Sequence, residues 1–267
     1  MILLLNPNTS TATTTAMVEI AGEAVASLAL EGRTASFGPA MLTEPEVLKR
    51  SAEAVIAMAE EPAHGYIVAA FGDPGLEALR ARVTVPVVGI GEASFLEAAV
   101  HGRFGIATTT PLLKDAIIAR VAASGLPGFT GCRFTPGDPT VLTAEPAALL
   151  AALAATVRAC IDDGAQAVII GGGPLARAAR ALAADLPVPI IEPVPAAARL
   201  LARRLAETRA ADRGGAGPTG RRASDRRGLP GAMGPASENS ESSAVSETRI
   251  VGLSDSSPAV GLPSPGG

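Results

Sequence analysis

Cysteine is nearly missing from these 267 residues. Only Cys132 and Cys160 occur, so there is no disulfide framework, and no CxxC or Cys/His cluster is present to hold a metal. Long apolar runs are missing as well. No window approaches the roughly 18 residues of a membrane span. The opening MILLLNPN has no charged flank, and its apolar run is shorter than the ~7 residues of a signal-peptide core. These absences predict a cytoplasmic protein with no membrane partner. A basic stripe is lacking too. Residues 1–208 are net acidic, which argues against a nucleic-acid partner. Lysine stands only at Lys49 and Lys114, and tryptophan is absent.

Composition divides the chain. Residues 209–267 hold 11 Gly, 6 Pro and 10 Ser, with no apolar run longer than two. Such a segment buries too little apolar surface to offset its ordering entropy, so a disordered tail is predicted there. Its Arg221-Arg222 and Arg226-Arg227 pairs are read as solvated. The remaining 208 residues are enough for a core that needs no covalent staples.

That part alternates short apolar runs with Ala-rich helical stretches. Strands are predicted at 2–5, 33–37, 66–69, 85–90, 104–107, 132–135, 167–170 and 188–191. Helices are predicted at 13–30, 44–60, 74–81, 92–100, 112–123, 146–163, 175–184 and 195–206, with Thr43 capping the second. Continuous apolar strands in alternation with helices imply parallel sheets covered on both faces. The chain also repeats itself. ILLLNPNTS (2–10) matches FGIATTTPL (104–112), and VAAFGDPGL (68–76) matches VIIGGGPLA (170–178), both at an offset of 102; VPVVGI (85–90) matches VPIIEP (188–193) at 103. The fold class is therefore α/β, with two pseudo-twofold-related parallel-sheet halves at 1–100 and 101–190. A closing strand and helix at 191–208 cross back onto the first half, and the tail follows.

Ligands of open parallel sheets bind at the carboxyl ends of strands. Those ends supply Asn6, Asn8, Thr9 and Ser10; Phe71 and Gly72; Ser94; Thr108 and Thr109; and Gly172 and Gly173 as substrate-binding candidates. Backbone amides in the Gly171–Gly173 run can hold an oxyanion or carboxylate. The run is neither a P-loop nor a dinucleotide fingerprint, because Lys-Ser/Thr and GxGxxG spacing are both missing. Asn8, Thr9 and Ser10 are equally suited to capping the helix that follows.

NPNTS, FGDPGL, VPVVGIGEAS and the paired GGGPLA and IIEPV segments resemble the Asp/Glu/hydantoin racemase superfamily, its hydantoin and allantoin branch above all, over residues 1–205. The resemblance implies a cofactor-independent isomerase acting on a small cyclic amide or amino-acid-derived substrate, with a homo-oligomer allowed. It also implies one cysteine per half, on opposite faces of the substrate carbon. Those positions here are Ala70 and Gly172. Neither carries a proton, and Cys160 and Cys132 are read as structural.

The acid/base candidates left are Asp73 and Glu92, with Glu192 behind them, since a carboxylate in a partly apolar cleft can be tuned toward neutrality. Asp73 before Pro74 equally suits a helix entry, and Glu92 a helix start. His64 and His101 sit in predicted loops. A lyase or decarboxylase on the same scaffold, and a catalytically silent binding protein, stay open as alternatives.

Overall fold

The computed structural model describes residues 1–214. Its first half contains β1 (Ile2–Asn6), α1 (Thr11–Ala24), β2 (Leu30–Thr34), α2 (Pro45–Met58), β3 (Gly65–Val68), α3 (Leu76–Arg80), β4 (Val87–Gly89) and α4 (Ile90–Ala99). The second contains β5 (Phe104–Thr108), α5 (Lys114–Ala123), β6 (Phe129–Phe134), α6 (Pro139–Ala144), α7 (Pro146–Asp162), β7 (Ala167–Ile170), α8 (Ala176–Leu182), β8 (Ile190–Ile191) and α9 (Pro193–Gly214). The strands form two parallel four-stranded sheets, ordered β2-β1-β3-β4 and β6-β5-β7-β8.

The orders are the same, and so are details of hydrogen bonding. Ala69 N donates to Leu5 O in one half, and Gly171 N to Ala107 O in the other, each partner displaced by 102. The internal repeat is thus a structural duplication.

Both sheets are covered on both faces, which is why the inner strands have no polar alternation. Leu3, Leu5, Tyr66 and Val68 pack on the α2–α3 side of the first sheet, together with Val55 and Leu79. Val168 and Ile170 pack on the α7–α8 side of the second, against Leu153 and Val157. The opposite faces share one core: Leu4, Ile67 and Val88 meet Met17, Ala197 and Leu201, and Ile106 and Ile169 join the same cluster with Ile117. Each fully buried aliphatic chain contributes about 1.5–3 kcal/mol of transfer free energy.

The last helix of each half crosses over. α9 packs on α1, α4, β3 and β4, while α4 packs on β7 and β8. The crossing of α9 was expected, and its reciprocal by α4 was not. Arg199 of α9 pairs with Glu97 of α4, and Arg204 donates to Val87 O and Glu92.

Several boundaries differ from the sequence reading. α1 stops at Ala24 because Leu30–Thr34 is claimed by pairing with β1, Ile2 opposite Leu30. Thr43 is not a cap. Glu44 holds that position, extended at φ −122°, without a side-chain bond and followed by Pro45. α6 was missed, although Asp138 accepts from Thr140 N and Val141 N and Pro139 opens the first turn. α9 continues through 209–214, residues that composition assigned to the tail. The rest of the predicted tail lies outside the described residues.

Candidate functional site

The two sheets bring their carboxyl ends to one pocket. The first half contributes Asn8, Met41, Leu42, Ala69, Ala70 and Phe71. The second contributes Thr108, Thr109, Thr110, Leu113, Thr143 and the run Gly171–Leu175. The halves touch here through one aromatic ring. A Cβ on Gly171 would lie 2.7 Å from Phe71 Cε1, so only glycine lets that ring rest on the strand end. Phe71 is braced from below, edge-on to Phe95 at 5.7 Å.

Polar groups at the first strand end are mostly spent on shaping it. Asn6 Nδ2 donates to Asn8 Oδ1 and Thr14 Oγ1, both at 2.9 Å, and Ser10 N donates to Asn8 Oδ1 at 2.9 Å. Asn8 Oδ1 is therefore saturated, while its Nδ2 has no acceptor among the described residues, and Asn8 lines the pocket. Asn6 is fully buried and positions Asn8 without lining the pocket itself. Ser10 caps α1 through Thr13 N, and Thr9 reaches back to the Gly38 and Pro39 carbonyls.

At the second strand end Thr108 Oγ1 donates to Gly171 O at 2.7 Å, tying β5 to β7. Thr109 Oγ1 makes no hydrogen bond among the described residues. The backbone amides of Phe71, Gly172 and Gly173 are likewise without partners there. Gly172 has φ +136°, which strains any side chain. The pocket thus presents free donors from both halves around a small space.

Of the eleven binding candidates, Asn8, Phe71, Thr108, Thr109, Gly172 and Gly173 line this pocket. The other five do not. Ser94 is fully buried in α4 and donates to Gly91 O, a bond within its own helix. Gly72 turns away toward Leu48. Asn6, Thr9 and Ser10 serve the loop as just described.

Neither catalytic candidate reaches the pocket either, and each has a different role. Asp73 takes φ +51°, the one non-glycine residue in that region among the described residues. This swings its carboxylate down into a hollow left by Gly89 and Gly91, where any Cβ would collide with it. There it accepts from Gly91 N at 2.8 Å and Glu92 N at 2.7 Å, capping α4. Arg120 of the second half lies 3.3 Å away. Burial pushes this carboxyl up to about 6, against the pull of Arg120 and the two amides. Glu92 pairs with Arg80 at 2.6 Å and Arg204 at 3.1 Å. Burial raises its carboxyl, but the two guanidinium groups outweigh that and hold it below the ordinary range. Glu192, the third carboxylate, faces Arg180 and is raised by burial.

The cysteines are also elsewhere. Cys160 is buried in α7 with Sγ 3.6 Å from Ile106 O, and Cys132 lies on β6. Burial lifts their thiols to about 11 and about 12. Among the described residues no cluster of metal-ligating side chains exists, and no helix is long and apolar enough to cross a membrane.

Met41, Leu42 and Thr143 were missed. They follow the edge strands β2 and β6, whose carboxyl ends also point at the cleft. These segments cover the pocket so closely that it encloses about 50 Å³. Ligand pockets usually hold roughly 300–1,000 Å³, so this one is narrow.

The profile of the Asp/Glu/hydantoin racemase family matches residues 2–201. The chain belongs to that family. Among its relatives, a hydantoin racemase of Paenarthrobacter aurescens is 32% identical over 208 residues, spanning 74% of this chain and 88% of the relative. The family likeness extends to solved structures. An allantoin racemase from Pseudomonas fluorescens superposes with a TM-score of 0.71 at 26% identity, covering 84% of this chain and 99% of that one. Another from Klebsiella pneumoniae gives 0.70 at 28% identity, covering 78% and 88%.

Proposed function

We propose that this chain is a racemase-like isomerase acting on a small cyclic amide of the hydantoin type. The observation that carries the reading is the duplicated pocket: strand ends related by an offset of 102 line it from both halves, as a ring bound between two walls would require. Asn8 Nδ2, Thr109 Oγ1 and the amides of Phe71, Gly172 and Gly173 hold the ring carbonyls. When the ring-carbon C–H bond breaks, its electron pair moves onto the adjacent carbonyl oxygen. Preorganised amide donors stabilise that developing charge. Solvent hydroxide on the Ala70 face takes the proton and becomes water, and a water on the Gly172 face returns one as the carbonyl re-forms, regenerating hydroxide. This reaction calls for no metal or cofactor, and a cytoplasmic setting suits the free thiols.

A second reading rests on one specific feature. No ionisable side chain lines the pocket among the described residues. On this reading the chain binds a cyclic amide without turning it over. The relatives are racemases, and nothing in the geometry favours a lyase.

The test is an enantiopure 5-substituted hydantoin in heavy water. Loss of the ring C–H signal in the proton spectrum, together with decay of optical rotation beyond the protein-free rate, supports the isomerase. A rise in melting temperature without exchange supports the binder. Neither effect, across a series of hydantoins, refutes both.

A further inference from the structure

A groove of about 530 Å³ adjoins the ring pocket. The two share Met41, Thr143, Gly173 and Pro174 as walls. Its other walls include the small side chains of Ala12, Ala16, Ala40 and Ala176, together with Arg177. Among the described residues, Arg177 is the only charged one in its walls.

Hydrogen-bond accounting narrows what can lie there. Thr13 Oγ1 already donates to Ser10 Oγ, Thr140 Oγ1 to Asp138, and Thr143 Oγ1 to Pro139 O. Three of the four wall hydroxyls are therefore spent, and the groove offers little to a neutral polar group. Its one strong donor is the Arg177 guanidinium. Among the described residues that group pairs only with Glu19, at 3.3 Å, with side chains 74% and 58% exposed. An exposed pair of this kind contributes little, so a ligand carboxylate can recruit the guanidinium.

We propose, resting on the ring site described above, that this groove takes the substituent of the ring carbon and selects a short alkyl chain ending in a carboxylate, with Arg177 as the specificity-determining residue. The alanine walls and Met41 take the methylenes, and Arg177 takes the anion. Glu19 is the one carboxylate that competes with it.

Isothermal titration tests this without requiring turnover. The probes are hydantoin, 5-propylhydantoin and 5-(2-carboxyethyl)hydantoin, on the full chain. The carboxyethyl compound is expected to bind about three- to fivefold more tightly than the propyl compound. Arg177→Ala brings the two within twofold, and Glu19→Gln widens the gap. Equal affinities on the native chain, or a preference that survives Arg177→Ala, overturn the groove assignment while leaving the ring site intact. If none of the three binds, the ring site falls and this proposal falls with it.

Discussion

Replacing Ala70 and Gly172 by cysteine puts a proton carrier on each face of the proposed ring site, and the structure fixes what each change costs. Ala70 is buried at the pocket wall in an ordinary conformation, so Ala70→Cys adds one sulfur toward the cavity. Gly172 is different. A Cβ there meets only Leu175, at 3.4 Å, an ordinary contact, but φ +136° is strained for any side chain. That strain is about 1–3 kcal/mol. At roughly 2–4 °C per kcal/mol for a domain of this size, the double variant should melt about 2–12 °C lower. Positioned acid/base groups typically contribute 10²–10⁴-fold to rate. Deuterium uptake at the ring carbon of a 5-substituted hydantoin should therefore rise at least about a hundredfold in the double variant. Ala70→Cys alone should raise one-sided exchange with less racemisation. The assay pairs proton spectra in heavy water with optical rotation, after calorimetry has shown that ligand still binds. A folded, ligand-binding double variant with no faster exchange would refute the reasoning that Ala70 and Gly172 face the reacting carbon.

Three further outcomes are expected. The folded chain binds a proton at Asp73 between about pH 4 and 6 that the unfolded chain does not. This contribution to stability is therefore complete below about pH 4 and is lost as pH rises through about 6. Carbon-13 titration should give a midpoint near that value, and Arg120→Ala should move it higher; a midpoint below 4 would contradict the burial argument. Leu201→Ala empties a fully buried position of α9 against the first sheet and should cost about 2–5 kcal/mol in urea unfolding. A loss under 1 kcal/mol would mean that α9 is not needed to cover that sheet. The double variant Cys132→Ala with Cys160→Ala should lose some stability but keep ligand affinity and any exchange, because neither thiol reaches the pocket. A hundredfold fall in exchange, about 2.7 kcal/mol of barrier, would overturn that placement.

The sheets were legible because their inner strands are uninterrupted runs such as Ile2–Leu5 and Ala167–Ile170, which parallel pairing requires. The duplication was legible from the same runs. The edge strands were harder. LEGRT is only half-buried, and its residues could be read as the end of a helix. That weakness also hid Met41, Leu42 and Thr143, since a strand placed wrongly takes its following loop with it. The residues lining the pocket were half legible, because a strand end names a neighbourhood but not a direction. Asp73 illustrates the difference. Proximity to the cleft in sequence suggested a base, while one positive φ turns the carboxylate into the α4 terminus. The signal was present in Gly89 and Gly91, whose missing side chains make the hollow that the carboxylate fills.

The reciprocal crossing of α4 and α9 has a consequence for how the protein is made. During synthesis the first sheet is complete once Gly89 has left the ribosome, but Ala197, Leu201 and Leu205, which cover one of its faces, are translated more than a hundred residues later. At ribosomal speeds of about 5–20 residues per second, that face waits on the order of ten seconds for its cover. During this interval Leu4, Ile67 and Val88 are available to any apolar surface, including a neighbouring nascent chain. A chain released before α9 would be an aggregation hazard, since the last helix is what covers that face.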